Sequence, residues 1–247
     1  MTRPVLYAIA CGSPVAGHVG GLVRLAHHAG WDVAVVATPD GQKFMDTSAL
    51  ARQTGYPVRS QFKNPDEPDV LPAADAIVVA PATVNTVNKW ACGIADTLAL
   101  GLLIEGHGLG LPMVAMPYTN TAMAAHPAFR ESLGRLRSWG VRVLFGDHVM
   151  AMPPPGAGSE YAVRFPWRLA LAVLGPPRAA VGPAATAGNG PAATAGNGRP
   201  ATAGNGDRRP VSAPGNPAAR NRRRPVTEPR WLAPPVAPRP APAIVRR

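Results

Sequence analysis

The run Asp75-Ala76-Ile77-Val78-Val79-Ala80-Pro81-Ala82-Thr83-Val84-Asn85-Thr86-Val87-Asn88-Lys89 decides the fold. Ala76 to Ala80 is apolar with no polar alternation. That pattern reads as a strand buried on both faces, which needs a parallel sheet covered by helices. Pro81-Ala82-Thr83 closes the strand, and from Val84 to about Leu103 the spacing is helical, with a break near Gly93. Upstream, Pro4 to Cys11 is a second apolar run ending in a Gly12-Ser13 turn. A helix follows from Val15 to Ala29, with Val19, Leu22, Val23, Leu25 and Ala26 on its apolar face and Gly30 as its stop. Asp32 to Ala37 is a strand, and Asp40 is placed to cap a helix over Gln42 to Gln53. Tyr56 to Phe62 reads as a weak edge strand. Downstream, Leu111 to Met116 gives a strand, Thr121 to Trp139 a helix, and Val141 to Phe145 a last strand. Strands alternating with helices predict an α/β domain: a doubly wound, Rossmann-like or flavodoxin-like parallel sheet with helices on both faces.

This pattern fills residues 1–175 of 247; residues 176–247 differ in kind. The first part carries 13 basic and 12 acidic side chains, the last 72 residues 12 and 2, so the net charge of +11 describes a tail. That balance argues against a nucleic-acid-binding role for the first 175 residues. The tail holds 15 of the 30 prolines and the repeat Pro-Ala-Ala-Thr-Ala-Gly-Asn-Gly, at 183–190 and 191–198 and shortened at 200–206. So little apolar surface cannot offset ordering entropy, and a disordered basic tail is expected, able to contact an acidic partner by charge. Cys11 and Cys92 make no disulfide framework and no metal-ligand pair, which fits a cytoplasmic protein without a bound metal. Cys92, on an apolar helix, is expected to be buried. No apolar run reaches the length of a membrane span, and Met1 to Gly12 reads as a first strand in preference to a signal peptide.

In doubly wound sheets, ligands sit beyond the carboxyl ends of the strands. Those ends read Cys11-Gly12-Ser13, Thr38-Pro39-Asp40, Pro81-Ala82-Thr83-Val84-Asn85-Thr86 and Pro117-Tyr118-Thr119-Asn120-Thr121. Each places hydroxyl or amide groups at a helix start, where a phosphate ester is favoured. The glycines after the first strand do not make GxGxxG, no Gly-Lys-Ser/Thr loop occurs, and no GxSxG elbow is present. A mononucleotide-sized phosphate ester held by Ser and Thr hydroxyls remains.

The string from Asp75 to Lys89, continued by Gly93-Ile94-Ala95-Asp96-Thr97-Leu98, resembles the central signature of the homo-oligomeric flavin-containing cysteine decarboxylases. Met116-Pro117-Tyr118-Thr119-Asn120-Thr121-Ala122-Met123 resembles that family's Pro-Ala-Met-Asn motif, and Gly12-Ser13 and Thr38 to Phe44 resemble its opening turns. The likeness covers residues 4–145. It implies FMN, with the phosphate near Gly12, Ser13 and Thr38 and the ribityl chain and ring near Thr83, Val84, Asn85 and Thr86. It implies that Asn120 engages the carboxylate of a thiol-bearing small molecule or peptide terminus. It further implies assembly as trimers or multiples of trimers, for which Trp90 and Leu102-Leu103 are apolar surface candidates. The implied reaction is oxidation of a cysteine side chain to a carbon–sulfur double bond, which accepts the electrons released as CO2 leaves. From the residues alone, Asn120 is equally placed to cap the helix that begins near Thr121.

The chain also departs from that pattern. No histidine lies between His28 and His107, and Glu67 stands nearest the place of the family's histidine, in an acidic stretch that reads as a solvated loop. The segment Met152 to Tyr161 keeps Gly156 and Gly158 of the family's substrate clamp but has no cysteine. Tyr118-Thr119 replaces Ala-Met. Two functions follow as expectations: an FMN-dependent decarboxylase, or a flavin-binding regulatory or scaffold protein that has lost turnover.

Overall fold

A computed structural model describes residues 3–177. Among them five strands, β1 (Val5–Ala10), β2 (Asp32–Ala37), β3 (Ala76–Ala82), β4 (Met113–Pro117) and β5 (Arg142–Val143), form one parallel sheet in the order β2-β1-β3-β4-β5. The expected doubly wound fold is therefore present, and the chain reverses direction of winding between β1 and β3, where such sheets place their ligands. The basic tail and its repeats lie outside the described residues.

Period-two alternation along β1 divides the core in two. Leu6, Ala8 and Ala10 join the layer built by Leu22, Val23 and Ala26 of α1 (Gly20–His28), Leu50 of α2 (Thr47–Thr54), and Ala170 and Leu174 of α8 (Trp167–Leu174). Tyr7, Ile9 and Cys11 join the other, with Val87 and Trp90 of α3 (Val84–Ala91), Leu100 and Leu103 of α4 (Leu98–Gly108), and Phe129, Leu133 and Leu136 of α6 (Pro127–Ser138). A short α5 (Thr121–Ala124) and α7 (Gly158–Ala162) complete the described helices. None is long and apolar enough to cross a membrane.

Several expected elements differ in detail. The first helix opens as a 3-10 turn, Pro14–His18, because Pro14 lacks an N–H and Gly17, Gly20 and Gly21 are weak helix formers. Asp40 does not cap a helix. It pairs with Lys43 at 2.7 Å beside a 3-10 turn, Gly41–Phe44, while Asp46 caps α2 by accepting from Ala49 N–H at 2.8 Å. The expected strand Tyr56 to Phe62 reduces to a single bridge between Val36 and Arg59, with Pro57 lacking a ladder donor. Pro127 divides the helix expected over Thr121 to Trp139 into α5 and α6. The last strand has two residues where five were expected. Trp90 and Leu103 are core residues and not surface ones, leaving Leu102 partly buried. Cys92 is exposed, because it sits at the C-cap of α3 just before Gly93, whose φ of +70° turns the chain outward.

Candidate functional site

At the carboxyl ends of β1 to β4 lies a cavity of about 480 Å³, within the size range of small-molecule sites. Gly12, Ser13, Thr38, Thr83, Val84, Asn85, Thr86 and Asn120 all line it. The geometry thus brings together the strand-end residues expected to hold the ligand, while Cys11, Pro81, Ala82, Pro117 and Thr121 of the same turns are not on the wall.

Main-chain hydrogen bonds lock the four turns to one another. Cys11 N–H donates to Pro81 O at 3.0 Å, joining β1 to β3; Thr38 N–H donates to Ala10 O at 3.0 Å, joining β2 to β1; Tyr118 N–H donates to Ala82 O at 2.9 Å, joining β4 to β3. The first two turns approach so closely that a Cβ on Gly12 would lie 2.7 Å from Asp40 Cβ. Only glycine fits there, and the bare backbone leaves room for a ligand. Thr38 Oγ1 accepts from Gly41 N–H at 3.1 Å, and Thr83 Oγ1 accepts from Thr86 N–H at 3.4 Å and lies 3.2 Å from Thr86 Oγ1.

Ser13 is the exception: its Oγ is buried and has no partner among the described residues. A buried hydroxyl left unpaired is unfavourable, and this one sits on the cavity wall. The donor set of Ser13, Thr38, Thr83 and Thr86 hydroxyls beside a glycine-bared turn suits a phosphate ester and the polyol chain of a flavin nucleotide.

Asn120 takes the capping role weighed for it and keeps its other end free. Its Oδ1 accepts from Met123 N–H at 2.9 Å, capping α5. Its Nδ2 has no partner among the described residues and remains a donor, because an amide has two chemically distinct ends. Cys11, just behind the wall, is fully buried, and burial raises its thiol pKa against the opposing hydrogen bonds of Thr86 and Thr83. It behaves as a core thiol.

Sequence reasoning missed part of the lining. Lys89 reaches the cavity but is held by Asp96 at 2.5 Å. Thr97 and Leu100 enter because the chain breaks after α3 and α4 starts afresh, with Thr97 as its cap. Pro153, Gly156 and Gly158 bring the expected clamp segment onto the same cavity. Glu67 is not on the wall. It accepts from Asn64 Nδ2 at 2.8 Å in an exposed loop, and those bonds lower its carboxyl pKa. It is a solvated anion, as its acidic neighbourhood suggested.

The probable phosphopantothenoylcysteine decarboxylase of Streptococcus mutans is 28% identical over 170 residues, spanning 64% of this chain and 92% of that protein. The coenzyme A biosynthesis bifunctional protein CoaBC of Thermococcus kodakarensis is 29% identical over 120 residues; the match spans 47% of this chain and 30% of that longer protein. Among solved structures, the FMN-dependent cysteine decarboxylase TvaF from thioviridamide biosynthesis superposes with a TM-score of 0.50 at 24% identity, covering 66% of this chain and 98% of that one, a likeness of fold. Residues 3–159, which include every strand-end turn of the cavity, match the Flavoprotein family model, and the chain belongs to that family, whose cofactor is a flavin.

Proposed function

We propose that residues 1–175 form an FMN-binding domain that oxidatively decarboxylates a cysteine-containing substrate, a phosphopantothenoylcysteine-like molecule or a peptide ending in cysteine. The convergence of four strand-end turns on one cavity, with the unpartnered Ser13 hydroxyl on its wall, carries this reading. Gly12, Ser13 and Thr38 would hold the phosphate, and Thr83, Val84, Asn85 and Thr86 the ribityl chain and ring. Bound there, FMN supplies the two-electron oxidation of the cysteine side chain that makes loss of the neighbouring CO2 easy. Asn120 donates through Nδ2 to the substrate carboxylate, orienting it without the fixed charge that an arginine would bring. The cap bond to Met123 N–H holds the amide plane, so this donor is pre-aimed. Met123 and Pro153 put apolar surface around the same mouth and help exclude water.

A second reading has its own observation. Glu67 is exposed and engaged with Asn64, and the segment Met152 to Tyr161 lacks a cysteine, so a flavin-holding scaffold without turnover fits these departures. Assembly as a trimer or a multiple of one, a cytoplasmic location, and an acidic partner for the tail of residues 176–247 complete the proposal.

The absorption spectrum of the purified chain tests the cofactor. Yellow protein, or quenching of added FMN fluorescence, is expected; a colourless chain that leaves FMN fluorescence unquenched overturns the flavin assignment. Mass spectrometry after incubation with phosphopantothenoylcysteine and cysteine-terminated peptides then separates the readings. Loss of CO2, with two hydrogens or with the hydrogens returned by the reduced flavin, supports the enzyme, and unchanged mass across the thiols supports the scaffold.

A further inference from the structure

Residues 152–158 form a strap across the mouth of the cavity, and their own chemistry gives them little to hold on with. Pro153, Pro154 and Pro155 have no N–H, and Gly156 takes a positive φ of +89°. Among the described residues, besides the internal bonds of α7, which begins at Gly158, two hydrogen bonds tie the strap to the rest of the fold. Thr121 N–H donates to Pro153 O at 2.9 Å, and the Tyr118 phenol donates to Gly158 O at 2.5 Å. The two tethers flank Asn120 on either side in sequence.

Tyr118 is built for this position. Its ring is 3% exposed and meets Phe165 edge-on at 5.9 Å, and Phe165 in turn meets Trp167 at 4.7 Å. The ring is therefore fixed in the core while the hydroxyl alone reaches the strap. Tyr118 is also one of the residues by which the chain departs from the Pro-Ala-Met-Asn pattern, and an alanine there would offer no phenol.

We propose that Tyr118 is a positioning residue: its phenol latches the strap at Gly158 and so sets the gap between the strap and the Asn120 amide, the gap into which the substrate's carboxyl end must fit. The placing of substrate at Asn120 rests on the function proposed above; the latch itself does not.

Hydrogen exchange on the full-length chain tests the latch without cofactor or turnover. The Thr121 amide, on an exposed residue, reports the strap directly, since its protection comes from Pro153 O. In Tyr118→Phe the ring stays and one hydrogen bond goes, so exchange at Thr121 and at residues 157–162 should rise about five- to tenfold, with the amides of β4 unchanged. Thr121→Pro removes the other tether at a first helical position, where proline is tolerated, and should accelerate residues 157–162 by a similar factor. On a cysteine-terminated peptide, Tyr118→Phe should raise KM by about that factor and leave kcat in place. Unchanged exchange at Thr121 and residues 157–162, equal acceleration in β4, or a Tyr118→Phe chain that does not fold would each assign the phenol to the core and overturn the latch. No activity on any thiol, with the exchange result as expected, would overturn the substrate role and retain the latch.

Discussion

Gly41→Ala probes the joint on which the cavity depends. A Cβ at Gly41 would lie 2.4 Å from Ala10 O, a main-chain atom that side-chain motion cannot move away, and 3.1 Å from Thr38 Oγ1, which need give only a few tenths of an ångström. Relief to 3.0 Å, the shortest approach real Cβ atoms make, needs a shift of roughly 0.6 Å between the 3-10 turn and the end of β1. Ala10 O cannot yield freely, because it accepts from Thr38 N–H at 3.0 Å. Moved by that amount it leaves hydrogen-bonding range, which costs about 1 kcal/mol. Overpacking against main chain adds about 1–3 kcal/mol. The sum, about 2–4 kcal/mol, lowers the melting temperature of a domain this size by roughly 4–16 °C. The same shift carries Thr38 away from Gly12, so FMN affinity should fall by about tenfold or more, equivalent to about 1.4 kcal/mol. Thermal melts with and without FMN, and fluorescence titration at low temperature, measure both effects. A variant that melts within about 1 °C of the parent and binds FMN equally well would refute the claim that the β1 and β2 turns are locked by this contact.

Ser13→Ala should act with opposite signs on the two states. The ligand-free chain gains up to about 1 kcal/mol by losing an unpaired buried hydroxyl, while FMN binding weakens, so denaturant melts and FMN titration must move in opposite directions. Asn120→Asp keeps a good N-cap but loses the Nδ2 donor and adds a negative charge beside the substrate carboxylate. Melting temperature and yellow colour should persist while turnover falls by roughly a hundredfold or more. Cys11 titrates higher in the folded chain than in the unfolded one, so the folded state binds more protons between the two pKa values. Its stabilising contribution is complete below the ordinary thiol pKa of about 8.5 and is lost as pH rises through the folded value. Stability against pH should therefore fall more steeply above about pH 8.5 in the parent than in Cys11→Ala, measured by urea melts. Iodoacetamide should modify the exposed Cys92 in the native chain and reach Cys11 only on unfolding.

How much of this was legible follows from what each signal encodes. β1, β2 and β3 are buried on both faces, so unbroken apolar runs marked them, and the turns after them fall where the runs end. Edge elements gave weaker signals: Tyr56 to Phe62 and Val141 to Phe145 have strand-like composition, but they pair on one side only and shrink to a bridge and to two residues. Helix starts were misplaced where a 3-10 turn intervenes, because Asp40 and Asp46 are equally good caps by composition. Tertiary contact bears on the choice: the turn after Asp40 is pressed between the end of β1 and the first 3-10 turn, where a Cβ at Gly41 would lie 2.4 Å from Ala10 O and one at Gly17 2.9 Å from Phe44 O, and the α-helix starts only beyond it at Asp46. Lys89, Thr97, Leu100 and the strap were harder still. Lys89 follows the Thr83–Thr86 turn by one helical turn, and Thr97 and Leu100 enter only because α3 ends and α4 starts afresh; the strap comes from a segment distant in sequence, and periodicity carries no information about which remote loop folds over which strand end.

The distribution of charge around the cavity bears on the two functional readings. The ionisable side chains on its wall are already engaged: Asp40 with Lys43, Lys89 with Asp96, and the Tyr118 phenol with Gly158 O. No histidine is among the described lining residues. Apart from the exposed Asp40–Lys43 pair and the Lys89–Asp96 pair, what one copy of the chain offers a substrate there is hydroxyl and amide donors with apolar walls, which bind and orient but do not take up a proton. Holding a flavin needs only those groups, so the cofactor assignment is independent of the missing histidine. Turnover needs a thiol to lose its proton as the side chain is oxidised, and a general base must lie within hydrogen-bond reach of that thiol. If the chain is a decarboxylase, the base comes from the substrate's own carboxylate, from the exposed Asp40, from solvent, or from a second copy docked at the mouth. A thiol substrate whose carboxylate is amidated separates the first source from the others: if flavin reduction under anaerobic conditions persists with the amide, the base is not the substrate's, and if an amide shown by titration to saturate the site leaves the flavin oxidised, the free carboxylate is itself the proton acceptor.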